Sequence, residues 1–368
     1  MSLVNNMDSS CHLPSRMEAA LLQNLHESYR IVTADVPKIK DHELLAKVHA
    51  AGFCHSDYQV IKGEAECKLP LIPSHEGAGV VVQVGKDCDE SWKLGDRIGA
   101  LNSKNACAKC PSCLLKLRCH GCLDPRFCEN RETAGFKHDG CLAGYMVVDP
   151  AAAVHLPDEI SFEQAAPLMC AGATIWGALE KATADLEPGA AVAIVGIGGL
   201  GHLGIQFSKS LGFRTIAIDR RPPALNLASM VPPALTPNLI VDSTSSDAQQ
   251  QIFDFTEGEG VAAAIVCTDS VEATSWALNL LRVGGTLVSL GLPPEQLRFD
   301  STALVFRELN IRGSYVANRE SVARMMQVVE EMGVKSALTV VPFDRASELV
   351  DVYEAESFKG KIVVTLSG

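Results

Sequence analysis

Residues 52–82 combine side chains that could bind a metal ion. A thiol, Cys54, an imidazole, His75, and two carboxylates, Asp57 and Glu76, lie within 23 positions. Thiolate and neutral imidazole are ligands that zinc prefers, and Asp57 could accept a hydrogen bond that fixes the imidazole tautomer. Taken alone, the stretch is better explained by a buried cysteine and a core histidine. A metal centre here is therefore a hypothesis that other parts of the chain must support.

A second group of cysteines indicates metal binding more strongly. Six of the 13 cysteines fall between positions 107 and 128, in the order Cys107, Cys110, Cys113, Cys119, Cys122 and Cys128. CxxCxxC spacing lets thiolates converge on one ion from a tight turn, and four thiolates with no open position make a structural zinc site. The spacing leaves open which four of the six bind. A redox or disulfide cluster is the alternative interpretation.

The glycine-rich stretch at 196–201 predicts a dinucleotide site. It follows a short apolar strand at 191–195 and precedes apolar residues at helical spacing, and a second strand at 215–218 ends in Asp219. This is the context of strand, turn, helix, strand and acid that the dinucleotide fingerprint requires. Glycines let the backbone approach a pyrophosphate, and the helix N-terminus attracts its charge. The predicted contacts in this turn are Gly196, Gly198, Gly199, Leu200 and Gly201.

The acid at the end of the second strand favours NAD over NADP. Asp219 can accept hydrogen bonds from the ribose hydroxyls, and it would repel a 2′-phosphate. Arg220 and Arg221 follow it, and an arginine at this place can accommodate that phosphate, so NADP stays the less favoured alternative. We assign Arg220, which follows Asp219, to the same cofactor site. Thr268, which ends a further strand candidate at 262–268, is assigned to it as well.

The elements around these residues indicate two domains with different secondary-structure patterns. Between positions 18 and 149, short apolar runs alternate with Gly and Pro turns. This predicts a β-barrel-like domain, although a β-sandwich would show the same pattern. Strand candidates at 239–242, 262–268 and 285–291 then alternate with helical stretches, which predicts a parallel doubly wound sheet. The fold class is therefore α/β, and 368 residues are enough for two domains.

Charge and hydropathy exclude several functional classes. The formal charge of −12 argues against a nucleic-acid or anionic-membrane surface, and no apolar run approaches membrane-spanning length. The first 17 residues lack a basic head followed by an apolar stretch. We interpret them as a loosely ordered lead-in rather than a secretory signal. Clustered cysteines without such a signal favour metal binding over a disulfide framework, and we expect a cytoplasmic location.

Taken together, these motifs resemble the zinc-dependent medium-chain alcohol dehydrogenases, in particular their yeast-type fungal branch. The resemblance runs from residue 18 to the C-terminus and rests on AGFCHSD, PSHEGAGVVVQVG, GFKHDGCLAGYMVVD, APLMCAGATIWGAL, VGIGGLG, GSYVANR and KGKIVV. It implies a GroES-like β-barrel catalytic domain over residues 1–164, an inserted Rossmann NAD-binding domain over 165–306, and a return to the catalytic domain over 307–368. Family members assemble through the cofactor domain, so a homotetramer or homodimer is expected.

The resemblance also implies roles for individual residues. One zinc would be catalytic and a second structural, and a small-molecule alcohol would be interconverted with an aldehyde or ketone by hydride transfer with NAD(H). The metal would keep one position open for the substrate oxygen. The implied residues are Cys54, His75 and Cys170 as ligands of the catalytic zinc, Glu76 beside it, Ser56 as the hydroxyl that takes the alcohol proton, and His55 and Lys361 near the cofactor pyrophosphate.

The cysteine cluster departs from the family pattern. An insertion carrying Cys119 and Cys122 separates the first three cysteines from the fourth. Measured back from the matching GFKHDG segment, Cys128 takes the fourth place. We therefore favour Cys107, Cys110, Cys113 and Cys128 as ligands of the structural zinc, with Cys119 and Cys122 as the substitutes.

Two further departures concern the reaction. Gln59 stands where yeast-type enzymes carry a histidine at the outer end of the proton relay. Glutamine cannot change its protonation in water, so we predict slower or more pH-sensitive proton release. Ala65 and Ala100 align with bulky tryptophans, and replacing an indole by a methyl opens apolar volume. This predicts a substrate bulkier than ethanol.

Three other functions stay open at this point. A polyol or sugar dehydrogenase of the same superfamily would share most of the motifs. A reductase of an activated C=C bond would use the same hydride donor without deprotonating an alcohol. A catalytically idle dinucleotide-binding sensor would keep the glycine-rich turn but have no need of the ligand set Cys54, His75 and Cys170.

Overall fold

The computed structural model describes residues 13–356 and 358–366. The predicted lead-in therefore lies, up to residue 12, outside the described part of the chain. Among the described residues, every helix is too short or too polar to span a membrane.

The first half of the chain is built mainly from short strands. In chain order its elements are β1 (Arg16–Leu21), β2 (Arg30–Asp35), β3 (Leu44–Phe53), α1 (His55–Ile61), β4 (Gly77–Val84), β5 (Arg97–Ala100), β6 (Ser103–Lys104), α2 (Pro111–His120), β7 (Glu132–Thr133), β8 (Tyr145–Val148) and β9 (Ala153–His155). β1 pairs with β2 and β6 pairs with β7, each as an antiparallel two-stranded sheet.

The second half alternates strands and helices. Its elements are α3 (Phe162–Ala165), α4 (Ala171–Thr183), β10 (Ala191–Val195), α5 (Gly201–Ser210), β11 (Arg214–Asp219), α6 (Pro222–Ser229), β12 (Leu239–Asp242), α7 (Ala248–Phe255), β13 (Val261–Val266), α8 (Val271–Leu280), β14 (Leu281–Ser289), α9 (Ser301–Phe306), β15 (Asn310–Gly313), α10 (Arg319–Met332), β16 (Leu338–Pro342), α11 (Leu349–Glu354) and β17 (Lys361–Thr365). Short 3₁₀ turns lie at Pro125–Phe127, Pro150–Ala152, Ala166–Met169, Pro233–Leu235 and Phe343–Glu348.

The first half of the chain centres on a seven-stranded sheet, which the last two strands join. Its order is β16-β17-β3-β4-β5-β9, with β8 pairing along the first part of β3. β3 is long and buried because small and branched residues fill it, and it pairs antiparallel with both β4 and β17. The last strand of the chain thus lies beside the strand that leads into Cys54. This arrangement carries the C-terminal residues back to the N-terminal half.

The parallel doubly wound sheet predicted from the sequence is confirmed. Its six strands follow the order β12-β11-β10-β13-β14-β15, and every neighbouring pair is parallel. In strands numbered along the chain this is 3-2-1-4-5-6, the order of the dinucleotide-binding fold. Such strands are buried on both faces, which explains the unbroken apolar run of β13.

The two halves share one apolar core. The cluster that packs helices α4, α5 and α10 also contains Ala50, Ala78 and Val154 from the first half. β15 pairs with β14, so the parallel sheet continues past residue 306, where we expected the chain to return to the catalytic domain. The chain rejoins the seven-stranded sheet at β16 and β17. The domain boundaries themselves stay a prediction.

Candidate active site

Cys54 is held where β3 ends and α1 begins. It is the N-cap residue of α1, and its backbone N–H donates to Oδ2 of Asp57 at 2.9 Å. The other carboxylate oxygen of Asp57 accepts a hydrogen bond from the backbone N–H of Ser74 at 3.0 Å. Asp57 is buried. One carboxylate therefore holds the Cys54 segment against the segment that carries His75.

His75 and Cys170 meet although 95 positions separate them. Nε2 of His75 lies 3.2 Å from Sγ of Cys170, and Nδ1 lies 3.7 Å from Oδ1 of Asp57. Cys170 immediately precedes helix α4 and has a non-helical backbone, with φ −124° and ψ −70°. Burial opposes protonation of the imidazole, but Asp57 and Cys54 outweigh it and raise the pKa of His75 well above its ordinary value.

Glu76 lies beside this pair and is compensated by Lys361. Oε1 of Glu76 accepts a hydrogen bond from Nζ of Lys361 at 2.7 Å, and both side chains are almost wholly buried. Its second oxygen, Oε2, is buried without a hydrogen-bond partner. Gly52 makes room for that oxygen, because a Cβ at this position would lie 1.9 Å from it. Burial raises the pKa of Glu76 to about 7, against the opposing charge of Lys361.

The donor set around Cys54 fits a zinc ion. The ligand atoms of Cys54, His75, Glu76 and Cys170 all lie within 4.8 Å of one another. Ligands at zinc bond lengths of about 2.0–2.3 Å on a tetrahedron are separated by roughly 3.3–3.8 Å, so the cluster needs little rearrangement. Two thiols, an imidazole and a carboxylate oxygen that lacks a partner are the donors that a divalent cation would satisfy. Zinc would be held by Cys54, His75 and Cys170, with Glu76 close by.

A second cluster joins Cys107, Cys110, Cys113 and Cys128, whose sulfur atoms also lie within 4.8 Å of one another. Sγ of Cys107 accepts from the N–H of Cys110 at 3.3 Å, and Sγ of Cys110 accepts from the N–H of Cys113 at 3.5 Å. Sγ of Cys128 accepts from the N–H of Cys107 at 3.4 Å. N–H donors directed at sulfur stabilise thiolates, and the backbone N–H groups of Lys109 and Cys110 lower the pKa of Cys107 to about 6. Four converging thiols fit a closed structural zinc site.

Cys119 and Cys122 are not part of this cluster. Both are exposed, at the end of helix α2 and just beyond its left-handed Gly121 cap. The structure thus brings together the four cysteines that the sequence favoured and leaves the two substitutes outside.

The glycine-rich turn has the shape of a phosphate cradle. Gly196 has φ +91°, and a Cβ at Gly201 would lie 2.0 Å from the carbonyl oxygen of Gly196, so neither position has room for a side chain. A Cβ at Gly198, in contrast, would meet nothing within 4 Å. The turn leads into helix α5 through Leu200, its N-cap residue. The open space at this helix N-terminus is where a cofactor pyrophosphate would fit.

Asp219 ends β11 beside this turn. Its Oδ2 accepts from the N–H of Ile197 at 2.7 Å, and its Oδ1 accepts from the N–H groups of Arg220 and Arg221 at 2.8 and 2.9 Å. The guanidinium of Arg221 forms an ion pair with the carboxylate at 3.2 Å, and Arg220 and Arg221 are both exposed. Burial opposes ionisation of Asp219, but Arg221 and these hydrogen bonds lower its pKa, so the carboxylate is charged.

Lys361 connects the two candidate sites. A Cβ at Gly199 would lie 2.9 Å from Cδ of Lys361, so the stem of the lysine runs along the glycine-rich turn while its ammonium contacts Glu76. The sequence had placed Lys361 near the pyrophosphate and gave no sign of the ion pair with Glu76. Thr268 also lies at the turn, because a Cβ at Gly196 would be 3.2 Å from Cβ of Thr268.

His55 and Ser56 occupy the first turn of α1, next to Cys54. Nδ1 of His55 lies 2.8 Å from the hydroxyl of Tyr353, and Nε2 lies 3.8 Å from Asp269. The sequence did not single out Tyr353 or Asp269, since 298 positions separate His55 from Tyr353 and no motif links them. Ser56 is half-buried.

The three positions that depart from the family pattern all lie near α1 or the barrel core. Gln59 is half-buried within α1. Ala65 packs against the apolar cluster of the first half, and Ala100 belongs to that cluster with 3% of its surface exposed.

Comparison with protein-family models supports both halves of this arrangement. Residues 40–158 match the alcohol dehydrogenase GroES-like domain, and residues 199–331 match the zinc-binding dehydrogenase model. The first match spans Cys54, His75 and the four-cysteine cluster. The second begins inside the glycine-rich turn.

Individual relatives match over nearly the whole chain. An alcohol dehydrogenase from Geobacillus stearothermophilus is 34% identical over 350 residues, which are 95% of this chain and 99% of the relative. The crystal structure of the alcohol dehydrogenase from Aeropyrum pernix is 28% identical and superposes with a TM-score of 0.81 over 95% of this chain and all of that one. The crystal structure of AibC, 23% identical, has the same fold, with a TM-score of 0.84 over 96% of this chain and 97% of that one.

The curated relative described above and two more, from Moraxella sp. (strain TAE123) and Rhizobium meliloti (strain 1021), are bacterial. The yeast-type fungal branch therefore stays a prediction. One family is supported by the sequence identity and coverage of the Geobacillus relative and by both family models. The two cysteine-containing clusters agree with it. The chain is an oxidoreductase that belongs to the zinc-dependent medium-chain alcohol dehydrogenases.

Proposed function

We propose that this enzyme interconverts an alcohol with an aldehyde or ketone by hydride transfer with NAD(H), on a substrate bulkier than ethanol. The observation that carries the proposal is the contact of His75 Nε2 with Cys170 Sγ at 3.2 Å, in a cluster with Cys54 and Glu76. Lys361 joins this cluster to the glycine-rich turn. A metal-binding group and a dinucleotide cradle connected by one buried side chain are what metal-assisted hydride transfer requires.

Each residue around the reacting atoms has a separate role in this proposal. When bound, zinc supplies a Lewis acid that polarises the substrate oxygen, and the nicotinamide supplies the hydride chemistry. Cys54, His75 and Cys170 hold the metal, and Asp57 orients two of them through the Cys54 backbone and the His75 ring. Ser56 Oγ accepts the proton of the substrate hydroxyl. Lys361 keeps the charge of Glu76 compensated inside a site from which water is excluded.

The charged carboxylate of Asp219 supports NAD over NADP. It lies buried beside the cradle, where a 2′-phosphate would bring a second negative charge close to it. Arg221 faces this carboxylate at 3.2 Å, so a 2′-phosphate would have to compete with Asp219 for the guanidinium. We therefore infer NAD as the preferred cofactor.

The substrate proposal depends on Ala65 and Ala100. Ala65 packs against the edge of the apolar cluster and Ala100 lies within it. The same cluster contains Phe53, which precedes Cys54, and Val60 of helix α1. Small side chains at these positions favour an aryl or long-chain substrate over ethanol.

The experiment is turnover of a panel of alcohols and aldehydes with NAD or NADH, with NADP and NADPH as controls, together with zinc analysis of the purified enzyme. We expect higher kcat/KM on aryl or long-chain aldehydes than on acetaldehyde, and about two zinc ions per chain. Clear preference for ethanol would contradict the substrate proposal. Reduction of an activated C=C bond that survives the change Ser56→Ala, or preference for a polyol, would replace the proposed reaction.

We also propose that the enzyme is a homo-oligomer joined through the cofactor domain, a homotetramer or a homodimer. Within the described residues β15 lies at the edge of the parallel sheet, and all four of its residues are exposed. Val305 and Phe306 just before it are 66% and 83% exposed, an apolar surface that a partner subunit would cover. Sedimentation should give more than one chain per particle, and Phe306→Glu should reduce that number.

A cytoplasmic location is proposed as well. The four-cysteine cluster needs reduced thiolates to bind its metal, and the cytosol keeps thiols reduced. Fractionation of the source cells with an antibody to the enzyme tests this.

A further inference from the structure

Val316 has a backbone conformation that valine rarely adopts. Its φ is +35°, and it lies three residues after the end of β15. A β-branched side chain in this region is strained, and such strain persists only where the surrounding structure holds the residue in place. The contacts of the 314–317 segment identify what holds it.

Arg126 holds one side of this segment. Its Nη1 donates to the carbonyl oxygens of Tyr315 at 3.0 Å and of Val316 at 3.3 Å. The ring of the neighbouring Phe127 packs edge-on against the ring of Tyr315, with 6.4 Å between their centroids. Arg126 lies two residues before Cys128. It therefore reaches the segment from residues 107–128, which we call the four-cysteine lobe.

Helix α4 holds the other side. A Cβ at Gly177 would lie 2.5 Å from the carbonyl oxygen of Val316, so the helix and the segment are in close backbone contact. Nζ of Lys181, one helical turn further, donates to Oγ of Ser314 at 3.0 Å. The carbonyl of Val316 is thus confined between a guanidinium and a helix that begins next to Cys170.

Asp124 orients Arg126. Its carboxylate accepts from Nη2 at 2.6 Å and from Nε at 2.9 Å, and the side chains of Asp124 and Arg126 are only 9% and 15% exposed. Both residues belong to the segment that separates Cys113 from Cys128. A two-point ion pair fixes the plane of the guanidinium and so aims Nη1 at the two carbonyls.

The segment lies at the edge of the parallel sheet that also carries the glycine-rich turn. It follows the carboxyl end of β15, and the glycine-rich turn and Asp219 lie at the same edge of the parallel sheet, the edge at which such sheets bind ligands. Arg126 and Val316 also line a cavity of about 250 Å³ together with Met169, the neighbour of Cys170. Val316 therefore belongs to the ligand-binding edge of the sheet and shares a cavity with the neighbour of a candidate zinc ligand.

We propose that Arg126, aimed by Asp124, is a positioning residue for cofactor binding. It holds the carbonyls of Tyr315 and Val316 so that the strained segment keeps the shape that receives the cofactor. The segment around Asp124 thereby couples the four-cysteine lobe to cofactor affinity. This inference rests on the proposed function, because it presumes that a nicotinamide cofactor binds at the carboxyl edge of the sheet.

The test compares NADH affinity of the zinc-loaded enzyme by fluorescence titration in the variant Arg126→Gln and in a matched control, Arg118→Gln. Arg118 is an exposed arginine in the same lobe. Losing charge-assisted hydrogen bonds to two carbonyls should raise the Kd for NADH about 10-fold or more in Arg126→Gln, with the same rise in KM and a smaller change in kcat. Arg118→Gln should bind like the unmodified enzyme.

Two further variants separate positioning from general stability. Gly177→Ala displaces the Val316 carbonyl from the opposite side without touching the lobe, so it should weaken NADH binding in a chain with unchanged zinc content. Val316→Gly should restore part of the affinity lost in Arg126→Gln, because glycine adopts a positive φ without a steric clash. A rescued double variant is not expected if Arg126 merely stabilises the lobe.

The outcomes are distinguishable. If the unmodified enzyme binds neither NADH nor NADPH, the proposed function fails and this inference fails with it. If the unmodified enzyme binds NADH, and Arg126→Gln and Gly177→Ala bind it equally well, the inference alone is overturned. A loss of affinity in Arg126→Gln that Val316→Gly leaves unchanged would also overturn it.

Discussion

The ammonium of Lys361 lies 2.7 Å from Oε1 of Glu76, in an ion pair that is almost completely buried. The two residues are 285 positions apart, and strand β17 brings them together by pairing with β3. The same lysine runs beside Gly199 of the dinucleotide turn. One side chain from the end of the chain therefore contacts both halves of the catalytic machinery.

Removing the lysine should destabilise the protein strongly. Lys361→Met leaves the carboxylate of Glu76 buried without its cation, which costs about 3–5 kcal/mol of the free energy of unfolding. The measurement is urea unfolding of the chelator-treated protein, with the exposed neighbour Lys359→Met as the control. The double change Glu76→Gln with Lys361→Met should recover part of the loss, and a double variant no more stable than Lys361→Met would count against the pair.

Of Cys119, Cys122 and Cys128, only Cys128 should affect the metal content when it is replaced singly. Cys128→Ser removes one of four converging thiols and should lower bound zinc from about two ions per chain to about one. Cys119→Ser and Cys122→Ser should keep both ions, because these thiols are exposed and outside the cluster. Atomic absorption on the purified variants gives the answer. Loss of zinc in Cys119→Ser instead would show that the insertion supplies a ligand.

Acid should weaken the contact that His202 makes between the dinucleotide turn and the C-terminal segment. Nδ1 of His202 contacts the carbonyl of Gly198 at 2.9 Å, and Nε2 accepts the N–H of Ala337 at 3.1 Å, so the ring is neutral. Burial lowers its pKa to about 4, with Lys361 adding to the effect. The folded chain thus binds fewer protons than the unfolded chain between pH 6.5 and about 4, and stability falls as the pH falls through this window.

The size of the His202 effect can be measured directly. Acidification from about pH 7 to about pH 5 should remove roughly 2 kcal/mol of stability through this residue. In His202→Gln, the loss of unfolding free energy on acidification should be smaller by this amount than in the unmodified protein. His42→Gln, which changes an exposed histidine, should lose as much as the unmodified protein. Equal slopes in all three proteins would exclude His202 as the cause.

Cofactor preference should change with Asp219. Asp219→Ala removes a charged acceptor, which should raise the Kd for NADH about 10- to 100-fold and improve binding of NADPH. The matched control is Asp242→Ala, because Asp242 ends the adjacent strand β12 in register with Asp219 and is exposed. Titration of each variant with both cofactors measures the effect. An unchanged ratio of the Kd values for NADH and NADPH in Asp219→Ala would mean that the cofactor preference originates in other residues.

Proton release should improve when a histidine is restored at position 59. Gln59→His places a titratable group on helix α1, within one turn of Ser56. A positioned general base contributes a factor of about 100 or more to the reaction rate. We expect a higher kcat for alcohol oxidation near neutral pH and a flatter pH–rate profile. Gln251→His, at a half-buried position of helix α7, is the control. An identical profile in Gln59→His and the unmodified enzyme would argue against a role for position 59.

Local pattern predicted the cofactor half of the fold closely. The strand at Ala191–Val195 and the strand at Leu239–Asp242 have the predicted bounds, because a buried parallel strand is a short apolar run between glycine or polar turns. The turn at 196–201 was recognisable for the same reason: its glycines are required by the backbone itself. Cys107, Cys110 and Cys113 were equally clear, since a knuckle is local in sequence.

The rest depends on contacts between distant parts of the chain, which no local pattern contains. The pairing of His75 with Cys170 came from family resemblance alone. Tyr353 beside His55, Lys361 on Glu76 and Arg126 on Val316 were not foreseen, because each joins residues more than 180 positions apart. The extent of the parallel sheet was also underestimated: β15 is short and exposed, so it lacks the apolar run that marks its neighbours.

The position of Lys361 has a consequence for biosynthesis. During translation Cys54, His75 and Cys170 leave the ribosome well before residue 361, and until then Glu76 has no cation to face and β3 lacks the neighbouring strand β17. The Glu76–Lys361 ion pair and the pairing of β17 with β3 can form only after residue 361 has been synthesised. A message truncated shortly before codon 361 would therefore yield a polypeptide that has every candidate zinc ligand and still lacks the cation that compensates Glu76.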